Sequence, residues 1–304
     1  MVMEVILLGF GHLHQLRNVI FGMFLIIYLL TLSGNVLIVS LISLSPRLHS
    51  PMYIFLFNLS ICEILFTTVI LPNTLCVIWG NGGRVSLNGC ITQLYLGASS
   101  GSTECLLLTA MAYDRYLAIC DPLRYSSIMN PVTRNHLVAW AWITGFFVMS
   151  ISTFSVCKLQ FCGGNTIDHL FCDFAPIVQL SSSDTSLVET EALLIAIALS
   201  LFPFLLIITS YVFIFFTILR IPSKFGRQKS FSTCSSHLAS VCTYFGSIFI
   251  IYLVPSQRSS EKLNKILCLL YIIGTPLLNP IIYSLRNREM KSCFRAHFFI
   301  GPPR

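Results

Sequence analysis

Charge is what this chain has least of. Asp, Glu, Lys and Arg make up 10% of its 304 residues, and hydrophobic residues make up 55%. An ordinary globular protein carries roughly 25% charged residues to wet its surface, so a soluble enzyme is excluded. The mean hydropathy of +0.79 says the same. Disorder is excluded too, because 24 Phe and 11 Tyr do not stay solvated. No internal repeat suggests the paired halves of a transporter, and no soluble domain flanks the greasy region. There is no Ser-His-Asp arrangement, phosphate loop or paired zinc spacing, and Gly80-Asn-Gly-Gly83 reads as a loop turn. Neither catalysis nor a bound metal centre is expected.

What is present is a series of long apolar runs. A helix needs roughly 20 apolar residues to cross a bilayer. Residues 18–46, 135–157, 192–219, 230–257 and 266–285 contain no Asp, Glu, Lys or Arg. Residues 51–83 and 85–113 qualify with one acid each, Glu63 and Glu104. Seven spans result, and runs this continuous are helices rather than the alternating strands of a barrel. Residues 1–10 are apolar but short, include Glu4 and lack a basic start, so the first span is expected to act as signal anchor. The fold class expected is an all-α membrane protein: one seven-helix bundle over residues 1–304, with a short amphipathic eighth helix near residues 286–298.

Orientation follows from Lys and Arg. Of the 19 basic residues, thirteen collect on the side of the C-terminus, among them Arg115, Arg124, Arg227 and Arg295. Six collect on the other side. The N-terminus, about residues 1–17, is therefore expected outside, and the tail, about residues 286–304, in the cytoplasm. The net charge of +7 is topology, not a nucleic-acid footprint. One long external loop, about residues 157–190, holds Asp168, Asp173, Asp184, Glu189 and Glu191 at or near its bounds, together with Cys157, Cys162 and Cys172.

Several words then run through the chain in order. They are Leu30-Thr-Leu-Ser-Gly-Asn35, Pro51-Met-Tyr-Ile-Phe-Leu-Phe-Asn-Leu-Ser60, Met111-Ala-Tyr-Asp-Arg-Tyr-Leu-Ala-Ile-Cys120, Ser210-Tyr211, Lys229-Ser-Phe-Ser-Thr-Cys-Ser-Ser-His-Leu238 and Pro276-Leu-Leu-Asn-Pro-Ile-Ile-Tyr-Ser-Leu-Arg-Asn287. On these words the chain resembles the rhodopsin-like G-protein-coupled receptors, and within them the olfactory (odorant) receptors. The resemblance implies a receptor for small volatile odorants that engages a stimulatory heterotrimeric G protein at the plasma membrane. A receptor of the same family serving another tissue, or one that fails to reach the surface, is the nearer alternative. An ion-coupled transporter or channel using Glu63 and Glu104 is the remoter one.

The resemblance also implies residue roles. Asp114, Arg115 and Tyr116 would form the coupling end of the third helix. Tyr211, His237, Asn279, Pro280 and Tyr283 would form the movable parts around it. Cys90 and Cys172 would form a disulfide closing a loop of about eighty residues, worth typically 2–4 kcal/mol. Glu63 and Glu104 sit mid-membrane, where a charge costs about 2.5–3.5 kcal/mol on insertion scales. They would share a proton or a cation, with Asn35 and Asn279 nearby and sodium the ion expected. No other cofactor is expected.

Three departures from the family pattern stand out. Leu180-Ser181 is followed by Ser182 where the family has Cys, so Cys162 is expected either to pair with Cys157 or to remain free. The sole Asn-x-Ser/Thr sequon, Asn58-Leu-Ser60, lies within a span. That leaves a start shorter than the family's or a receptor that traffics poorly. The sixth span reads Tyr244-Phe245-Gly246 where the family has Phe-Tyr-Gly, which moves the hydroxyl about 100° around the helix.

The pocket is expected between the third and seventh helices. Helical spacing from Cys90 puts Leu94, Gly97, Ala98, Gly101 and Ser102 on the inward face of the third helix. Small residues there serve either close packing or a cavity, and the resemblance favours the cavity. Opposite would stand Val148, Met149 and Ser152, then Ile195, Ala196 and Leu199, then Ile248 and Tyr252, then Leu269 and Ile272. None of these is charged, so the ligand expected is neutral and mostly apolar, with Phe171-Cys172-Asp173-Phe174 as the lid.

Overall fold

The apolar runs fold as seven long helices in a computed structural model, which describes residues 3–10, 16–253, 261–286 and 288–298. In chain order the elements are β1 (Glu4–Leu7), α1 (Arg17–Leu44), α2 (Pro51–Gly80), β2 (Gly83–Ser86), α3 (Leu87–Cys120) and α4 (Pro131–Cys157). Then follow β3 (Thr166–Ile167), α5 (Ser186–Leu219), α6 (Lys224–Leu253), α7 (Glu261–Arg286) and α8 (Arg288–Phe298). One-turn helices at Tyr125–Ile128 and Phe174–Gln179 sit in the connections.

Local chemistry sets the helix ends. Pro51 and Pro131 open α2 and α4 at the position where a missing N–H costs nothing. Ser86 caps α3 by accepting from Gly89 N at 3.1 Å, and Asn130 caps α4 by accepting from Thr133 N at 2.9 Å. Asn81 ends α2 in the left-handed conformation, φ 53°. α5 starts at Ser186, earlier than the uncharged run that begins at residue 192. Asp184 accepts from Ser186 N at 3.0 Å, and Thr185 donates to Glu189 at 2.8 Å. Glu189 and Glu191 therefore belong to a helix and not to the long loop, which ends before Ser186.

Among the described residues four helices, α1, α2, α4 and α5, are long and apolar enough to span a membrane on composition alone. α3 is more polar because it is the central helix. It packs against α2, α4, α5 and α6, and its Gly, Ser and Thr face neighbours rather than lipid. Gly145 on α4 shows how close the approach is. A Cβ there would run into Thr103 Oγ1 and lie 3.2 Å from the Ser99 carbonyl. The outer face of α4 carries exposed Trp140, Ile143, Phe147, Ile151 and Phe154 at helical spacing, the apolar belt a bundle turns toward lipid.

Proline shapes two helices. Residues 197–201 of α5 form a π-turn just before Pro203, whose missing N–H breaks the regular ladder. Pro280 deprives the Pro276 carbonyl of its helical donor, and Asn35 Nδ2 on α1 donates to that carbonyl at 3.2 Å. Gly34 makes the approach possible, because a Cβ there would meet Pro280 Cβ at 2.8 Å.

One end of the bundle is closed by a small sheet in the order β2-β1-β3. β1 pairs antiparallel with β2, Val5 opposite Val85, and parallel with β3, Leu7 beside Ile167. Val5 and Leu7 are fully buried. Glu4–Leu7, expected only as part of a short tail, is thus a structural strand.

Candidate functional site

The disulfide between Cys90 and Cys172, with Cα atoms 5.3 Å apart, fastens the long loop to the start of α3. Gln93, one turn into α3, accepts from Cys172 N at 2.9 Å and donates to the Val69 carbonyl at 2.9 Å. Asp173 then caps the one-turn helix Phe174–Gln179 by accepting from Phe174 N at 2.8 Å. Cys157 and Cys162 are both free and exposed. Ser182 makes the loop closure that a second bridge would have made. Its N–H and hydroxyl reach the Gln160 carbonyl at 2.9 and 3.0 Å.

Beneath this lid lies a cavity of about 270 Å³. Its α3 wall is Leu94, Gly97, Ala98, Gly101 and Ser102, the face expected from helical spacing. Met149 and Ser152 come from α4, Ile195, Ala196 and Leu199 from α5, Ile248 from α6 and Ile272 from α7. Phe171, Cys172, Asp173 and Phe174 of the lid complete it.

Two expected wall residues are elsewhere. On α7 the lining positions are Cys268, Tyr271 and Ile272, and Leu269, about 100° around the helix from Cys268, is buried in the apolar core instead. Val148 packs against the central core of the bundle. Tyr252 lies outside the residues whose side chains are described. Sequence reasoning misses Phe66 and Ile70 on α2, Gln93, Thr153, Ala192, Ser200, Tyr244, Cys268 and Tyr271. Counting on from the expected α3 face could find only Gln93. Tyr244 does keep a structural use for its displaced hydroxyl, which donates to the Gly101 carbonyl at 2.7 Å.

Below the cavity, α1, α2, α3 and α7 bring polar groups into the dry interior. Asn35, Glu63, Glu104 and Asn279 are each at most 2% exposed. Asn279 Nδ2 donates to Glu63 Oε1, and Asn35 Nδ2 donates to the Thr31 and Pro276 carbonyls at 3.1 and 3.2 Å. Asn279 Nδ2 is thus spent on Glu63 Oε1 and Asn35 Nδ2 on main-chain carbonyls, and among the described residues Asn35 Oδ1, Asn279 Oδ1, Glu63 Oε2 and Glu104 Oε1 have no hydrogen-bond partner. Buried oxygens with no donor among them suit a proton or a hard cation. Among the described residues no group of three or more His, Cys, Asp and Glu forms a metal-binding cluster, so the donor set is oxygen from acids and amides.

At the far end of α3, Asp114 is fully buried and holds Arg115 Nη2 at 2.6 Å and Nε at 3.1 Å. Tyr125 donates to the other Asp114 oxygen at 2.8 Å. Burial and the Asp114 carboxylate push the Tyr125 phenol up, which keeps it a donor. Tyr116 packs beside Cys120, Tyr211 and Ile214.

His237 on α6 is fully buried. Its Nε2 lies 3.1 Å from the Leu108 carbonyl and its Nδ1 lies 2.7 Å from Tyr211 Oη. A carbonyl only accepts, so Nε2 carries the proton and Nδ1 accepts from the tyrosine. One neutral imidazole thus joins α3, α5 and α6. Tyr283 on α7 is buried in the same core.

The sequence that builds this bundle, its lidded cavity and the Asp114–Arg115 pair at the opposite end matches a known family. The olfactory receptor family profile covers residues 24–300. Olfactory receptor 10A3 of Homo sapiens is 48% identical over 290 residues, 95% of this chain and 92% of that protein. Olfactory receptor 11L1 of Homo sapiens is 45% identical over 289 residues, 95% and 90% of the two chains. Olfactory receptor 287 of Rattus norvegicus is 45% identical over 290 residues, 95% and 93%. The chain is a multi-pass membrane receptor, not an enzyme, and it belongs to the olfactory receptor family.

Proposed function

We propose that this receptor binds a neutral, mostly apolar volatile in the cavity between α3 and α7 and activates a stimulatory, olfactory-type heterotrimeric G protein. The observation that carries the reading is the cavity itself. Among the described residues it is lined by six helices, α2 to α7, and a disulfide-anchored lid, and its walls are mainly Leu, Ile, Met, Phe, Gly and Ala. Such a site gains its affinity from burying apolar surface. No cationic side chain among the described residues lines it to hold an acid.

In this reading β1 and the lid face the outside and Arg115 faces the cytoplasm, as the distribution of basic residues requires. The protein sits in the plasma membrane. Ligand binding shifts the population toward a form with Arg115 released from Asp114 and the Tyr211–His237 link rearranged. Asn279, Pro280 and Tyr283 carry the change along α7. A sodium ion fits the oxygens of Asn35, Glu63, Glu104 and Asn279, where it would balance one carboxylate while the other carboxyl keeps its proton, and would hold α1, α2, α3 and α7 together.

The test is cAMP readout in cells across a panel of neutral volatiles, with surface staining and the Arg115→Ala variant alongside. A response that Arg115→Ala removes at comparable surface level supports the reading. A response that survives in that variant excludes Arg115 as the coupling residue. Added sodium should raise the thermal stability of the purified receptor, and Glu104→Gln should remove that increment. Equal stabilisation of both forms would exclude the ion site.

A further inference from the structure

Among the described residues, the cavity wall contains one side chain that can only accept. Gln93 has its carbonyl oxygen and amide engaged by Cys172 N and the Val69 carbonyl. Tyr244 donates to the Gly101 carbonyl at 2.7 Å. Ser102, Ser152, Thr153, Ser200 and Tyr271 also line the wall, but a hydroxyl both donates and accepts and so does not discriminate between ligand heads. Asp173 does. It lines the cavity from the lid, one oxygen accepts from Phe174 N at 2.8 Å, and no ion pair holds the carboxylate among the described residues. The other oxygen accepts from no group among the described residues, and an ionised carboxylate has no donor of its own.

We propose that Asp173 selects ligands by the chemistry of their polar end, so that the cavity takes alcohols and phenols in preference to aldehydes, ketones and ethers of the same skeleton. The proposal rests on the odorant-binding reading above. A hydroxyl head donates to the Asp173 oxygen that no described residue engages, a charge-assisted bond stronger than a neutral pair. A carbonyl or ether head meets that oxygen lone pair to lone pair, and a carboxylate head meets it charge to charge. The carboxylate is partly exposed at the lid, where solvent screening reduces what a full ion pair gains, and it already spends one oxygen on the cap. A neutral donor therefore suits it better than an amine.

The experiment compares matched sets of alcohol, aldehyde, methyl ether and primary amine on linear, branched and aromatic skeletons. It reads cAMP potency in cells, with surface level measured in parallel. The wild-type receptor should prefer the alcohol at least about tenfold, equivalent to about 1.4 kcal/mol. Asp173→Asn retains a good helix cap but presents an amide N–H₂ to the cavity, so the order should turn toward the aldehyde. Asp173→Ser also caps and should abolish the preference in either direction, which covers the case where the Asn variant does not reach the surface. Equal wild-type potencies, an order unchanged in both variants, or an amine outranking the alcohol would each overturn the proposal while leaving odorant binding intact. Silence of the whole panel at normal surface level would instead remove the odorant reading, and the role of Asp173 with it.

Discussion

Asn35 donates its side-chain N–H to the Pro276 carbonyl at 3.2 Å, the carbonyl that Pro280 leaves without a donor in its own helix. Two words far apart in the sequence, Gly34-Asn35 and Asn279-Pro280, are thereby one joint. Asn35→Ala leaves a buried carbonyl unsatisfied, at a cost of about 1–3 kcal/mol. Surface level and the melting temperature of purified receptor should both fall. Ser33→Ala removes only a local bond from Ser33 to the Leu29 carbonyl and should sit within about 0.5 kcal/mol of wild type. Equal effects of the two substitutions would deny the joint its role.

Gly101→Leu tests the α3 wall. A Cβ at Gly101 already lies 2.9 Å from Tyr271 Oη, and overpacking of this kind costs about 1–3 kcal/mol. Agonist potency should fall about 5- to 150-fold at measurable surface level. A Cβ at Gly246 would have nothing within 4 Å, so Gly246→Ala should leave potency unchanged. Normal potency in Gly101→Leu at normal surface level would move binding away from α3.

Cys172→Ser removes the disulfide to Cys90, a loss of about 2–4 kcal/mol, and should abolish surface expression. Cys162→Ser should be mild, because that thiol is free and exposed. Ser182→Ala keeps its backbone bond to Gln160 and loses only the hydroxyl one, about 1 kcal/mol. Flow cytometry should show Cys172→Ser far below wild type and the other two close to it. Equal damage from Cys162→Ser would reveal a partner for that thiol.

Tyr211→Phe deprives His237 Nδ1 of its donor, and His237→Phe removes the bond to the Leu108 carbonyl as well. Both should raise ligand-independent cAMP by loosening α5 and α6 from α3. The two residues share one link, so the double variant should be no more active than His237→Phe alone, a coupling of about 0.5–3 kcal/mol. Strictly additive effects would show that the link does not act as a unit.

Much of the fold is legible in the sequence because lipid enforces it. A spanning helix must satisfy its backbone internally and present apolar residues outward, so seven uncharged or nearly uncharged runs mark seven helices. The α3 wall is legible because helical spacing from Cys90 carries through an unbroken helix to Ser102. On α7 no such fixed starting point exists. Leu269 and Ile272 are the residues expected on the wall; Ile272 stands there beside Cys268 and Tyr271, and Leu269 does not. β1 is illegible for another reason. Glu4-Val-Ile-Leu7 has no alternation that separates it from an apolar tail, and its partners are supplied by distant loops. Asp173 reads as part of the lid, but its charge escapes an argument built on helix faces because it belongs to none of them.

The position of β1 sets an order of assembly. Leu7 pairs with Ile167, a partner separated from it by more than half the chain. One edge of β1 can pair with β2 as soon as α2 has been made, but the other stays unpaired until α4 has been inserted and the loop beyond it has emerged. Non-local pairings of this kind form late and slowly. Until then Val5 and Leu7, both fully buried in the finished protein, offer a sticky unpaired edge. The interval in which this receptor is open to capture by quality control is thus set by the time that separates the synthesis of β1 from that of β3.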